Sequence, residues 1–110
     1  MKEAAASGEA LPEALARQIV ERVRGAARPE RIILFGSRAR GDAEPRSDID
    51  LAIASSKMTP AEWLSILAAL DTVDTLLPIQ AVRVEEAPAA LVARIDREGV
   101  LLYAEPEAGR

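Results

Sequence analysis

Residues 36–51 read GSRARGDAEPRSDIDL, and this stretch decides how the rest of the chain is read. A small-residue turn, Gly36-Ser37, follows the apolar run Ile32-Ile33-Leu34-Phe35, and ten residues on comes Ser47-Asp48-Ile49-Asp50-Leu51. Two aspartates two apart within an apolar run are unusual. In a strand, residues i and i+2 point to the same face, so Asp48 and Asp50 would stand side by side, about 6.6 Å apart along the strand at ~3.3 Å per residue. Parallel carboxylates repel unless a cation lies between them. Mg²⁺ suits such a place, because it prefers hard oxygen ligands and is held by one or two carboxylates together with substrate phosphates.

The Gly36-Ser37 turn supplies a complement. Glycine lets the backbone turn tightly and approach a ligand closely. Successive backbone N–H groups in such a turn, with the Ser37 hydroxyl, can hold phosphate oxygens, and a short helix starting at Ser37 would add a favourable dipole. A phosphate cradle beside a two-carboxylate metal site is the equipment of nucleotidyl transfer. The bland reading of the same residues is a surface turn followed by a strand with two solvated aspartates.

The stretch resembles the nucleotidyltransferase superfamily that includes DNA polymerase beta, and within it the minimal nucleotidyltransferases, or MNT proteins. Their pattern is GSxARGxxxxxSDxDL, matched here at Gly36, Ser37, Ala39, Arg40, Gly41, Ser47, Asp48, Asp50 and Leu51. The resemblance implies an α/β fold with a mixed β-sheet and helices packed on one face. It implies Asp48 and Asp50 as catalytic metal ligands for Mg²⁺, and Gly36 and Ser37 as holders of the phosphates of ATP or another nucleoside triphosphate. Many MNT proteins pair with a HEPN partner, a small helical ribonuclease-type protein, and act as its antitoxin by adding AMP to it. The resemblance covers residues 11 to 103.

The same resemblance exposes a departure. The family carries a third carboxylate on the strand after the long helix, in a stretch like Pro-Val-Asp-x-Val. This chain has Pro78-Ile79-Gln80-Ala81-Val82, so Gln80 stands at the third-carboxylate position. An amide offers a carbonyl oxygen but neither negative charge nor basicity. Two expectations follow: a nucleotidyltransferase of reduced activity, or a catalytically inactive subunit that binds nucleotide or partner only. A substrate-modifying enzyme with its own acceptor-binding domain is disfavoured, since the chain has no room for one.

Composition narrows the chemistry. The 110 residues suit one domain with a modest core of Leu, Ile, Val and Ala. Without cysteine there is neither a disulfide framework nor a thiolate site, and without histidine any acid–base work falls to carboxylates, Lys or Tyr. No segment approaches the ~20 apolar residues of a membrane span. The first residues, MKEAAASGEA, are too polar for a signal peptide, and a cytoplasmic location is expected. The net charge of −4 argues against a general nucleic-acid binder. Arg38, Arg40 and Arg46 flank the phosphate turn, interleaved with Asp42 and Glu44. They read equally as a solvated loop or as cations for a triphosphate or a partner, Arg38 and Arg40 ahead of Arg46.

Around this centre, residues 1–10 read as a disordered N-terminus, 11–104 as the domain and 105–110 as a flexible tail. Leu11, Leu15, Ile19 and Val23 recur at a four-residue step and predict a helix over 12–27. Strands are predicted over 31–35, 47–54, 78–84 and 100–103. Ile49, Leu51 and Ile53 would meet the helices, while Ala52 and Ala54, beyond the aspartates, would leave room for a ligand. Thr59, Pro60 and Glu62 form a capping box that starts a helix expected to reach residue 76. Asp71 and Asp74 read as solvated charge. Pro88 opens a last helix to 97, with Gly99 as its stop.

Overall fold

The computed structural model describes Lys2–Glu3 and residues 11–106. The elements are β1 (Lys2–Glu3), α1 (Glu13–Ala26), β2 (Arg31–Phe35), α2 (Ser37–Arg40), β3 (Ile49–Ala54), α3 (Pro60–Leu70), β4 (Ile79–Arg83), α4 (Ala89–Glu98) and β5 (Val100–Ala104), with a 3-10 turn at Val84–Glu86 before α4. The strands form one mixed sheet in the order β1-β5-β2-β3-β4. Strand β2 is antiparallel to both β3 and β5, whereas β3 and β4 run parallel. The expected disordered N-terminus and flexible tail fall largely outside the described residues; within them, Lys2–Glu3 pair in parallel with β5.

The main core lies between the sheet and α1 and α3. Ile19 and Val23 of α1 and Ile66 and Leu70 of α3 meet Ile32, Leu34, Ile49, Leu51 and Ile53 of the two central strands. Thus the alternation expected in β3 is correct: Ile49, Leu51 and Ile53 face the long helices. Helix α3 starts where the sequence places it. The Thr59 side chain accepts from the Glu62 N–H, and the Glu62 carboxylate accepts from the Thr59 N–H.

Two expectations are corrected. Helix α3 ends at Leu70, six residues early. Beyond it the chain reads Asp-Thr-Val-Asp-Thr, whose β-branched and short polar side chains compete with helical hydrogen bonding. The Thr72 hydroxyl donates to the Ala69 carbonyl at 2.6 Å and closes the helix end. Val73 still turns inward, but Leu76 is fully exposed.

The second correction concerns the helix layers. Helices α1 and α3 share one face, as expected, but α4 covers the other. There Ile95 packs on Ile33, Phe35 and Ala52, with Leu91, Val82 and Leu101 around them. Connection handedness accounts for this. The β3-α3-β4 crossover steps toward one edge of the sheet, and β4-α4-β5 steps back past β3 and β2. Right-handed crossovers in opposite directions place their helices on opposite faces. The unbroken apolar run of β2 fits, since such a run marks burial on both sides. Ala52 and Ala54 are consequently buried, at 0% and 2% exposure, and leave no space for a ligand.

Candidate nucleotide site at the Gly36 turn

The site is built where β2 ends, β3 begins and α4 stops. Strand β2 delivers the chain to Gly36, and Phe35 lies opposite Asp50 in the antiparallel register. Gly36 has φ 79° and ψ −159°, a region open essentially to glycine alone. Its surroundings impose the same choice, because a Cβ there would run into the Asp50 carboxylate. Helix α2 follows as one turn, closed by Arg40 N–H to the Gly36 carbonyl at 3.1 Å, with Gly41 and Asp42 N–H both reaching the Ser37 carbonyl. Gly41, at φ 87°, supplies the left-handed exit.

Asp50 is the second residue of β3 and half-buried, whereas Asp48 precedes the strand and is exposed. The strand therefore starts two residues later than predicted, at Ile49, whose N–H donates to the Pro78 carbonyl at 2.9 Å. Burial, then the nearby Asp48 charge, raises the Asp50 pKa; Arg94 and Arg40 pull it back in part. Carboxylates held this way present the unneutralised charge that a cation would relieve.

Gln80 lies directly beside Asp50 in the parallel β3–β4 register, and it is exposed. The β3–β4 register thus sets residue 80 and Asp50 side by side on adjoining strands. Among the described residues, no group of three histidine, cysteine or carboxylate ligands comes together.

The arginines differ from one another. Arg38 staples the 41–48 loop, donating from Nε to the Ser47 carbonyl and from Nη2 to the Pro45 carbonyl, both at 3.0 Å. Arg40 pairs with Asp42 at 3.2 Å and reaches Glu98 at 3.2 Å, and both carboxylates raise its pKa. Of the two, Arg40 is the one whose charge bears on Asp50.

Glu98 and Arg94 do not stand out in the sequence as site candidates. Glu98, the last residue of α4, accepts the Gly36 N–H at 3.0 Å and is bound by Arg40 and by Arg94, the latter at 3.3 Å. Burial alone would raise the Glu98 pKa, but Arg40, the Gly36 N–H and Arg94 outweigh it and hold the carboxyl below the ordinary value. The Gly36 N–H, expected from the sequence to form part of a phosphate cradle, is thus engaged within the protein. The register explains the meeting: β5 is antiparallel to β2, with Leu34 opposite Val100, so a residue just before Val100 falls beside one just after Leu34.

A family model described as polymerase beta nucleotidyltransferase matches residues 17–108. Among solved structures, a crystal structure of a toxin–antitoxin with AMP-PNP aligns with TM-score 0.66 and 23% identity, over 84% of this chain and 75% of that one. The tri-AMPylated Shewanella oneidensis HEPN toxin in complex with MNT antitoxin gives TM-score 0.62 and 20% identity, over 86% and 74%. A nucleotidyltransferase from Sulfolobus solfataricus, so described provisionally, gives TM-score 0.55 and 23% identity, over 86% and 81%. No curated protein sequence matches the chain. At these identities the structural likenesses establish the fold.

Proposed function

Since the chain belongs to the polymerase beta nucleotidyltransferase family, we propose that it binds a magnesium-complexed nucleoside triphosphate, ATP, between the Gly36 turn and Asp50. It transfers AMP to a hydroxyl of a HEPN-type partner protein and so serves as the antitoxin of the pair. The observation that carries this reading is the contact between Gly36 and Asp50: the turn is pressed so closely on the carboxylate that no side chain fits between them. Nucleotidyl transfer needs that closeness, because phosphate and metal must be held by adjoining groups.

The residues present fit one Mg²⁺. Two carboxylates, one of them half-buried and destabilised by its neighbour's charge, match a cation that takes its remaining ligands from phosphate oxygens and water. Asp48 and Asp50 would hold it. Magnesium bound there would offset charge on the phosphate oxygens during displacement at the α-phosphorus. Ser37 and its turn would orient the phosphates, and Arg40 would add a cation at the rim. The acceptor oxygen bonds to the α-phosphorus as the bond to pyrophosphate breaks, and the hydroxyl proton must leave. It would pass to solvent, since the amide at position 80 cannot accept it.

That last point favours a second reading, in which the protein binds nucleotide and partner but transfers slowly or not at all. Its support is specific: Gln80 is the register neighbour of Asp50.

Two measurements test these readings. Calorimetric titration with ATP and Mg²⁺ should show binding that Asp50→Asn weakens at least about tenfold, ~1.4 kcal/mol; equal binding by both proteins rules out Asp50 as a metal ligand. Transfer of labelled AMP to a co-expressed HEPN-type protein separates enzyme from binding subunit. Rapid Mg²⁺-dependent labelling by wild type supports the enzyme, and a stable complex without labelling supports the binding reading. A chain that stays monomeric beside such a protein contradicts the antitoxin role.

A further inference from the structure

Glu98 gathers three donors from two distant parts of the chain. Its Oε1 accepts from the Gly36 N–H at 3.0 Å, from Arg40 Nη1 at 3.2 Å and from Arg94 Nε at 3.3 Å, while Oε2 lies 3.3 Å from Arg40 Nη1. Its side chain is only 15% exposed, against 41% for Arg40 and 46% for Arg94. The anchor is therefore sheltered and the two cations it holds are open to solvent. Arg94 is fixed from a second side, with its guanidinium 5.9 Å above the Phe35 ring. Phe35 is the residue opposite Asp50.

The consequence reaches Asp50. Its carboxylate is packed against Gly36, whose N–H Glu98 holds, and Arg94 lies over Phe35, the strand partner of Asp50; Arg94 and Arg40 are the two cations that Glu98 gathers there. They belong to different elements, α4 and α2, and Glu98 is the group they share. An exposed arginine samples many rotamers, and holding one in place costs side-chain entropy. A sheltered carboxylate that binds both guanidiniums spends that entropy during folding, before any ligand arrives. The same carboxylate fixes the Gly36 N–H, and with it the direction in which the turn leaves β2.

We propose that Glu98 is a positioning residue of the nucleotide site, orienting the Gly36-Ser37 turn and holding Arg40 and Arg94 beside Asp50 as a pre-formed cationic rim for the triphosphate. This deepens the nucleotide reading above and rests on it. Glu98 itself touches no phosphate. Arg94 becomes a second phosphate-facing cation, in the place that Arg38, committed to the loop carbonyls, does not fill.

The test compares Glu98→Gln, Glu98→Ala and Arg94→Ala with wild type, and with Glu13→Ala, which breaks only the exposed α1 pair. Glu98→Gln keeps an acceptor for the Gly36 N–H but loses the charge that holds two guanidiniums. MgATP affinity is measured by calorimetry well below each variant's unfolding temperature, and the Gly36 amide and the Arg40 and Arg94 Nε resonances are followed by NMR without nucleotide. Expected are an affinity loss of about tenfold for Glu98→Ala, a smaller loss for Glu98→Gln and Arg94→Ala, and none for Glu13→Ala. The arginine resonances should move in both Glu98 variants, and the Gly36 amide should exchange faster in Glu98→Ala. A glutamate that merely fastens the end of α4 would lower the melting temperature and leave the affinity of the folded protein unchanged, which overturns the proposal. Unmoved Gly36 and arginine resonances in Glu98→Ala overturn it whether or not nucleotide binds. Wild type that binds no MgATP defeats the nucleotide reading by itself, and the Glu98 anchor is then decided by the spectra.

Discussion

The two faces of the sheet divide the protein's work. The face under α1 and α3 is almost wholly aliphatic, with Ile32, Leu34, Ile49, Leu51 and Ile53 all at zero exposure. The face under α4 has a core of four buried residues, Ile33, Phe35, Ala52 and Ile95. Beside this small core stand Asp50, at the start of β3, and Gln80, at the start of β4, paired in register. Leu51 and Asp50 are neighbours in sequence, yet strand alternation sends one into the larger core and the other into the site. Burial area accumulates on one side, while the other gives up area to hold charge. A substitution on the first face should move stability and leave folded-state binding alone; one at the site should move binding beyond what its change in stability explains.

Leu51→Ala is the strongest way to challenge that division. Removing a fully buried leucine leaves a cavity and should cost about 3 kcal/mol, within the range for such truncations. Urea unfolding gives the cost. The division fails if the remaining folded protein loses MgATP affinity in the same proportion as an Asp50 variant.

Gly36→Ala should come next, because it strains both the turn and the strand beside it. The φ of 79° with an extended ψ costs about 2 kcal/mol for a residue with a side chain. The added Cβ meets Asp50 as well. Binding of MgATP should fall by more than the stability loss explains. A variant with wild-type stability and affinity would show that the turn relaxes freely, and would remove the observation on which the nucleotide reading rests.

Asp50→Asn sharpens the comparison by having opposite effects on stability and binding. The folded-state pKa of Asp50 is raised, by burial first and by the Asp48 charge second. A raised carboxyl contributes most below its unfolded value, and that contribution is lost as pH rises through the folded value. At neutral pH the charged group therefore lowers stability, and the neutral amide should restore part of it. Nucleotide-free Asp50→Asn should unfold at higher urea than wild type at pH 7, with the difference shrinking as pH falls below the folded-state value, while its MgATP affinity falls. Lower stability than wild type at pH 7 would mean that Arg40 and Arg94 outweigh burial around Asp50.

Several of these features are legible in the sequence alone. The turn and the capping box at Thr59 are local, each specified by a few adjoining residues, and both appear where the sequence places them, whereas of the paired aspartates only Asp50 lies within the strand. Gln80 is placed by the family resemblance alone, which sets Pro78-Ile79-Gln80-Ala81-Val82 against a Pro-Val-Asp-x-Val stretch; the β3–β4 register then puts it beside Asp50. The side occupied by α4 is harder to read, since helical periodicity shows which stripe is apolar but not which face of a sheet receives it. The role of Glu98 is hidden for a related reason. Its partners are 58 and 62 residues away in sequence, and on its own helix it looks like an ordinary i,i+4 pair with Arg94. The early end of α3 does carry a local signal, because Thr72, Val73 and Thr75 are β-branched and follow an aspartate.

The smallest expected effect is the most discriminating one. Gln80→Asp sets a carboxylate directly beside Asp50 on the adjoining strand. Like charges on neighbouring strands cost up to about 1 kcal/mol, and with Gln80 exposed the loss should be nearer ~0.5 kcal/mol in metal-free buffer. If residue 80 shares a cation site with Asp48 and Asp50, Mg²⁺ should cancel that loss, because the same oxygens that repel each other become ligands. The variant would then unfold earlier than wild type in chelator and no earlier in Mg²⁺. Transfer of AMP to the partner should rise in parallel if a missing third carboxylate limits the reaction, since the new group supplies both a ligand and an acceptor for the hydroxyl proton. A stability loss that Mg²⁺ leaves untouched would place residue 80 outside the cation site, despite its register. Restored stability without faster transfer would separate the two roles: position 80 would then complete a binding site without setting the rate of transfer.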